Sequence, residues 1–271
     1  MPPCRKVTIM SEHRSGLGEF LRSRRERLTP EAVGLPARPR RRTPGLRREE
    51  VAELAGIGVD WYIRLEQGRT VSPSTATIDA LAQALRLNDT ERVHLRTLAR
   101  APAKAPFVRE RVPSGLRRLV ESLGHPAYLT GRRWDVLAWN SAAADLITDF
   151  GQIAEENRNI LDYLLLDPGA RRLFGDVWAS QAKHVVAQFR AVHDLWAPDP
   201  AFTRLSARLR HGCPEFGTWW EQHEVLGSGA GQKLLHHPAR GALRFDYATF
   251  QANEDPALRL TIYTPAGPTL V

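Results

Sequence analysis

The most regular pattern in the chain lies between Leu46 and Thr70. From Arg47 to Ala55, Val51, Leu54 and Ala55 fall on one helical face while charged residues take the other. Gly56-Ile57-Gly58 breaks that period, and Gly56 suits a left-handed helix cap. The period resumes from Val59 to Gln67, with Tyr62 and Leu65 inward and Asp60, Trp61 and Arg64 outward, until Gly68 ends it. Two short helices joined by a Gly-containing turn form the unit that presents its second helix to the base edges of DNA. An αα-hairpin in an ordinary helical domain has the same periodicity; the Arg-rich approach to this pair favours DNA.

The second half has a different rhythm. Leu116, Leu119, Val120 and Leu123 share the face of a helix that Ser114 is expected to cap and Gly124 to end. Strands are expected over Ala127–Thr130 and Asp135–Trp139, joined by Gly131-Arg132-Arg133, and a helix from Asn140-Ser141 through Ile147. Residues 159–223 read as mostly helical, notably Val177–Trp196 and Pro200–His211. Three further strands are expected at Gln232–His236, Ala242–Gln251 and Leu258–Tyr263. In the second of these, Leu243, Phe245 and Tyr247 alternate with Arg244, Asp246 and Ala248, as in a half-buried antiparallel strand.

Charge divides along the same line. The first hundred residues hold 19 Lys+Arg against 12 Asp+Glu, and the remainder 19 against 18, so nearly all of the net +8 lies in the first part. Neutralising phosphates requires such an excess. At 271 residues the chain has room for two cores. No apolar run approaches the length of a membrane span, and MPPCRKVTIM has no signal-peptide core. Met10 resembles a natural start, so residues 1–9 read as an extension. Cys4 and Cys213 have no metal or redox spacing, which suits a reducing cytoplasm.

Residues 17–99 resemble the Xre-type helix-turn-helix regulators. The family's L-R-x-x-R stands here as Leu21-Arg22-Ser23-Arg24-Arg25, its E-x-A-x-x-A-G as Glu50 to Gly56, and its I-x-x-L-E-x-G as Tyr62 to Gly68, with Tyr62 where a smaller aliphatic is usual. Pro73-Ser74 followed by Thr77–Leu85 resembles the fourth helix, capped by Ser74 or Thr75, and Asp89–Ala99 is the fifth. The resemblance implies that Val59, Asp60 and Arg64 face bases and that Arg47, Arg48, Trp61 and Arg69 meet the DNA backbone. It also implies an ion pair of Arg25 with Glu66 locking the first helix to the third. One departure is the long connection Leu28–Leu46, rich in Pro and carrying Arg38, Arg40, Arg41 and Arg42. Such an arm either follows a phosphate backbone or minor groove, or is a mobile loop adding non-specific attraction.

Two strands, several helices and three strands are the order of a PAS-type sensor. With Trp139-Asn140 closing the second strand and Tyr263-Thr264-Pro265 near the end, this part resembles the C-terminal domain of MmyB-like regulators. Those regulators also carry the TPGLRREEVA stretch found at Thr43 to Ala52. The implied fold class is α+β: an all-α, five-helix helix-turn-helix domain, then a PAS-like sensor with a five-stranded antiparallel sheet. The expected division is a disordered extension 1–15, a DNA-binding domain 16–100 with the basic insertion 28–46, a linker 101–112, and a ligand-binding domain 113–271. The resemblance implies an apolar cavity for a fatty-acid-like ligand.

Trp139, Phe174, Phe189, Trp219 and Phe250 are the aromatic candidates for lining that cavity, although aromatics equally fill cores. Trp219 and Trp220 are adjacent on a helix, so one is expected to be partly exposed. His211, His223, His236 and His237 show no metal-site spacing, and neither a G-x-S-x-G elbow nor a Walker loop occurs. The expected function is therefore a non-enzymatic DNA-binding regulator of transcription, without metal or cofactor. Its expected partners are a double-stranded operator, a second copy of the chain and a small apolar ligand. A second domain serving only dimerisation or protein contact is the alternative, and a DNA-tethered enzyme the distant one.

Overall fold

The computed structural model describes residues 5–36, 45–69, 73–100, 106–196, 199–227 and 229–266. The chain forms two compact units, and the first is not continuous in sequence: it comprises residues up to Pro106 together with Phe189–Thr203 and Trp220–Leu226.

The first unit starts with α1 (Arg5–Arg27), which takes in residues 5–15 where an extension without structure was expected. A single 3-10 turn, Glu31–Val33, follows. Next come α2 (Arg48–Leu54), α3 (Val59–Glu66), α4 (Thr75–Ala84) and α5 (Asp89–Arg100), matching the five-helix expectation. The apolar stripes of these helices meet in one core containing Leu17, Phe20, Leu21, Val51, Tyr62, Leu65, Ile78, Leu81 and Leu95. Ala191, Leu195 and Val225, distant in sequence, pack on the same core. Tyr62, where the family has a smaller aliphatic, is fully buried in it.

Local chemistry sets the helix ends. Gly56 has φ +64°, and Ile57 N–H donates to Ala52 O across it, so α2 stops in a left-handed turn that an L side chain strains. Ser74 caps α4 by accepting from Thr77 N–H at 3.1 Å. At Gly18 a Cβ would collide with the backbone carbonyl of Glu66, so only glycine lets α1 approach the end of α3 this closely.

The second unit comprises Phe107–Gln188, Arg204–Trp219 and the residues from Gly227 onward. It begins with α6 (Ser114–Ser122), whose N-cap is Pro113 rather than Ser114 and whose C-cap is Leu123 rather than Gly124. Strands β1 (Ala127–Thr130) and β2 (Val136–Trp139) follow, then α7 (Ser141–Leu146), α8 (Ile160–Leu166), α9 (Pro168–Phe174), α10 (Trp178–Trp196), α11 (Pro200–Gly212) and α12 (Pro214–Glu221), of which residues 189–196, 200–203 and 220–221 belong to the first unit. Strands β3 (Gly231–His237), β4 (Gly241–Gln251) and β5 (Arg259–Pro265) complete the sheet. The sheet is antiparallel throughout, in the order β2-β1-β5-β4-β3, so the last strand is central and joins both ends of the segment.

Asn140 pins the junction of β2 and α7. Its amide oxygen accepts from Ala143 N–H and Ala127 N–H, and its nitrogen donates to Leu123 O and His125 O. All four hydrogen-bonding positions of the side-chain amide are thereby used, in a residue that is itself buried.

Candidate DNA interface and ligand cavity

α3 offers its outer face to solvent. Val59, Asp60 and Arg64 are exposed, while Tyr62 and Leu65 hold the opposite face in the core. Trp61 is partly buried against that core, so its ring serves packing as well as any contact outside. Arg47 is the exposed N-cap of α2, its backbone N–H donating to Glu50 Oε2 at 2.7 Å, and Arg69 is exposed just beyond α3. Arg38, Arg40, Arg41 and Arg42 lie outside the described residues.

A buried carboxylate fixes the angle of this face. Glu66, with its side chain 1% exposed, receives both arms of the Arg25 guanidinium at 2.9 and 2.8 Å, and Arg25 is itself 6% exposed. The remaining Arg25 nitrogen donates to Leu46 O at 2.9 Å, so one side chain ties α1, α3 and the entry to α2 together. The ion pair implied by the family resemblance is therefore present. Sequence reasoning missed that Arg48 also reaches Glu66, through Nε at 3.1 Å and Nη2 at 3.0 Å. Burial pushes the Glu66 carboxyl upward, but the hydrogen bonds and charges of Arg25 and Arg48 prevail and hold it below the usual value. Arg48 keeps 40% of its side chain exposed, so it can still meet an anion outside.

A second buried charge cluster in this unit was also missed. Arg24 Nε lies 3.0 Å from Glu91, and its Nη2 donates to His223 O at 2.7 Å. Arg190 donates to Asp194 Oδ1 at 2.8 Å and to Trp220 O at 2.8 Å, and its guanidinium covers the Trp220 ring. Asp194 also meets His94 Nε2 at 3.3 Å. Burial opposes the charge on Asp194, but the Arg190 charge and the histidine hydrogen bonds hold its pKa well below the carboxylate range. His223 lies 199 residues from Arg24 and Asp194 100 residues from His94, beyond any periodicity or short motif.

In the second unit a cavity of about 90 Å³ lies between the sheet and α8, α9 and α10. Of the five aromatic candidates only Phe174 lines it. Phe189 is fully buried in the first unit, stacked on Phe202 at 6.2 Å. Trp139 packs on Phe150 at 5.7 Å with Arg158 over its ring, Trp219 packs on Trp178 at 5.7 Å, and Phe250 is 55% exposed. Trp219 is the partly exposed member of the tandem pair, and Trp220 is buried.

The cavity wall is instead a tyrosine ladder. Tyr128 of β1, Tyr263 of β5 and Tyr247 of β4 stand side by side with ring centres 6.2 and 6.0 Å apart. Burial raises the phenol pKa of all three, keeping them neutral hydrogen-bonding groups. Lys233 of β3 also lines the cavity. Its Nζ donates to Gln181 Oε1 at 3.1 Å and lies 5.3 and 5.0 Å from the ring centres of Phe174 and Tyr247. These residues belong to expected strands, but periodicity alone does not say which strand face meets the helices. Among the described residues, no group of three or more His, Cys, Asp or Glu is arranged to hold a metal, and no helix is long and apolar enough to cross a membrane.

Residues 112–269 match the family model described as MmyB-like transcription regulator ligand binding domain, and residues 16–95 match that of a helix-turn-helix domain. No curated protein matches the chain. The exposed α3 and the clamp beneath it lie within residues 16–95, and the residues lining the cavity lie within 112–269. The chain belongs to the helix-turn-helix transcription regulators that carry an MmyB-like ligand-binding domain.

Proposed function

We propose that this regulator reads a specific operator through α3 and that a small, mainly apolar molecule in the cavity modulates that reading. The observation carrying the first half is the exposed face of Val59, Asp60 and Arg64, held from below by the Arg25–Glu66–Arg48 cluster. In that orientation Arg64 suits a bidentate contact to guanine, Asp60 a cytosine amino group and Val59 a thymine methyl. Arg47, Arg48 and Arg69 supply backbone contacts, and the arginines of the 28–46 insertion add to the positive charge of this part of the sequence. The DNA-reading part comprises residues 16–100, completed by 189–203 and 220–226, the ligand-binding part takes the rest of 113–271, and the protein acts in the cytoplasm.

One recognition helix covers too few base pairs to select a site in a genome, so two copies act on a two-fold operator, with half-sites about one helical turn (~34 Å) or a multiple apart. Of the tandem pair, Trp219 is the one available for contact between copies, since Trp220 is buried under Arg190. Operator selection followed by footprinting tests the reading. Arg64→Ala should lower specific affinity by about 1–3 kcal/mol and relax preference at one base position. An equal loss on random DNA would refute base reading.

A further inference from the structure

Lys233 is an enclosed amine that operator reading does not use. It stands on β3 in the cavity wall, its Nζ donating to Gln181 Oε1 at 3.1 Å and lying 5.3 and 5.0 Å from the ring centres of Phe174 and Tyr247. Its partner is an amide, and among the described residues neither Asp nor Glu lines the cavity. An amide oxygen accepts from a neutral amine or from an ammonium, whereas a carboxylate would hold the extra proton in place. Loss of hydration lowers the Lys233 pKa to about 8. At pH 7 about one in ten such amines is uncharged, against roughly one in 2,500 for an ordinary lysine of pKa about 10.4. A desolvated amine in an apolar pocket is the state in which lysine attacks carbonyl carbon. The cavity is partly open to solvent, which gives a small molecule a way in, and Leu164, Leu173 and Val185 give it apolar surface.

We propose that Lys233 captures an apolar aldehyde as a reversible imine, so that the cavity recognises a reactive carbonyl and not only an apolar shape. The uncharged Nζ attacks the carbonyl carbon and a C–N bond forms; the nitrogen loses one proton and the oxygen gains one, giving a carbinolamine. The C–O bond then breaks, and the hydroxyl leaves with the second amine proton as water. One amine and one aldehyde thus give one imine and one water, with no oxidant or reductant. Tyr247, kept neutral because burial raises its phenol pKa, is the proton donor for the departing oxygen. The protonated imine is again a cation, and the ring faces of Phe174 and Tyr247 attract it as they attract the ammonium. This rests on the reading of the cavity as the sensor site and names the chemistry it senses.

Trapping with full-length protein tests the assignment. The protein is incubated with hexanal and cyanoborohydride, which reduces an imine to a stable amine, and the adducts are mapped by peptide mass. The chain has four lysines, Lys6, Lys104, Lys183 and Lys233, so the other three serve as references. At pH 7 Lys233 should be labelled at least tenfold more than any of them. Around Lys233 the neutral groups are Gln181, Phe174 and Tyr247, and the titratable ones are His184 of α10 and Arg259 of β5. Selectivity should shrink as the pH is raised from 7 toward 10, where ordinary lysines lose their protons as well. Without reductant, the wild type should bind hexanal at least tenfold more tightly than hexanol, and Lys233→Arg, which keeps the charge but forms no imine, should bind the two alike. Labelling spread evenly over the lysines, no adduct at Lys233, or an unchanged hexanal preference in a folded Lys233→Arg protein would overturn the proposal. Operator affinity on the same samples separates it from the reading it rests on. Hexanol shifting operator affinity while Lys233 stays unlabelled counts against the imine alone, and labelling of Lys233 that leaves operator affinity unmoved counts against ligand control of the regulator.

Discussion

Glu66 answers to two arginines at once, and this makes it the most sensitive residue of the first unit. Glu66→Gln removes the countercharge of the buried Arg25 and is expected to destabilise the unit by about 3–5 kcal/mol. Replacing Arg25 and Glu66 together by apolar residues should cost less than Glu66→Gln alone, a difference that chemical denaturation of the single and double variants measures directly. The depressed carboxyl pKa has a definite sign. Its contribution to stability is complete above the unfolded carboxylate value near ~4.3 and is lost as the pH falls through the lower folded value. Acid titration of the wild type should therefore show a loss of stability that Glu66→Gln lacks. At Gly18, a methyl group would strike the Glu66 carbonyl, and Gly18→Ala is expected to cost about 1–3 kcal/mol by forcing α1 away from α3. A measured cost near zero would mean that α1 can retreat freely.

At the scale of elements, Asn140 offers the sharpest test of how the second unit is assembled. Asn140→Asp keeps the two acceptances and loses both donations to Leu123 O and His125 O. With two carbonyls left unpaired beside a new charge at a buried position, a loss of about 2–4 kcal/mol in unfolding free energy is expected. The elements were largely legible in the sequence. Alternation located β4 to within one residue, because one face of that strand is more buried than the other. Gly56 and Gly68 marked the ends of α2 and α3 because their backbones do adopt positive φ. Arg25 and Glu66 were legible only through family resemblance, since nothing in helical periodicity pairs residues 41 positions apart. The cavity wall was least legible. Aromatic size pointed to Phe250 and Phe189, whereas the sheet side of the wall carries tyrosines and Lys233, whose inward direction depends on sheet order.

The whole molecule is less modular than its sequence suggests. Ala191, Leu195 and Val225 complete the core of the first unit, and Asp194 and His223 supply partners to the buried His94 and Arg24. Residues 1–106 expressed alone would lose all five. That fragment is expected to melt well below the corresponding transition of the full chain and to expose apolar surface, which a dye-binding or calorimetric melt would detect. An equally stable fragment would show that these later residues are only lodgers on a finished core.

That discontinuity of the first unit bears on how such regulators can be recombined. A gene fusion made at the Pro-containing stretch after Arg100 would look clean on paper, yet it would carry away the last pieces of the DNA-reading module with the sensor. A new sensor spliced on there would have to bring helices of its own that fit over Phe20 and His94 and answer the charge on Arg24. Changes on the two sides of the splice are thus bound to be inherited together. Chimeras of related regulators should work when residues 189–203 and 220–226 travel with the first hundred, and fail when they do not.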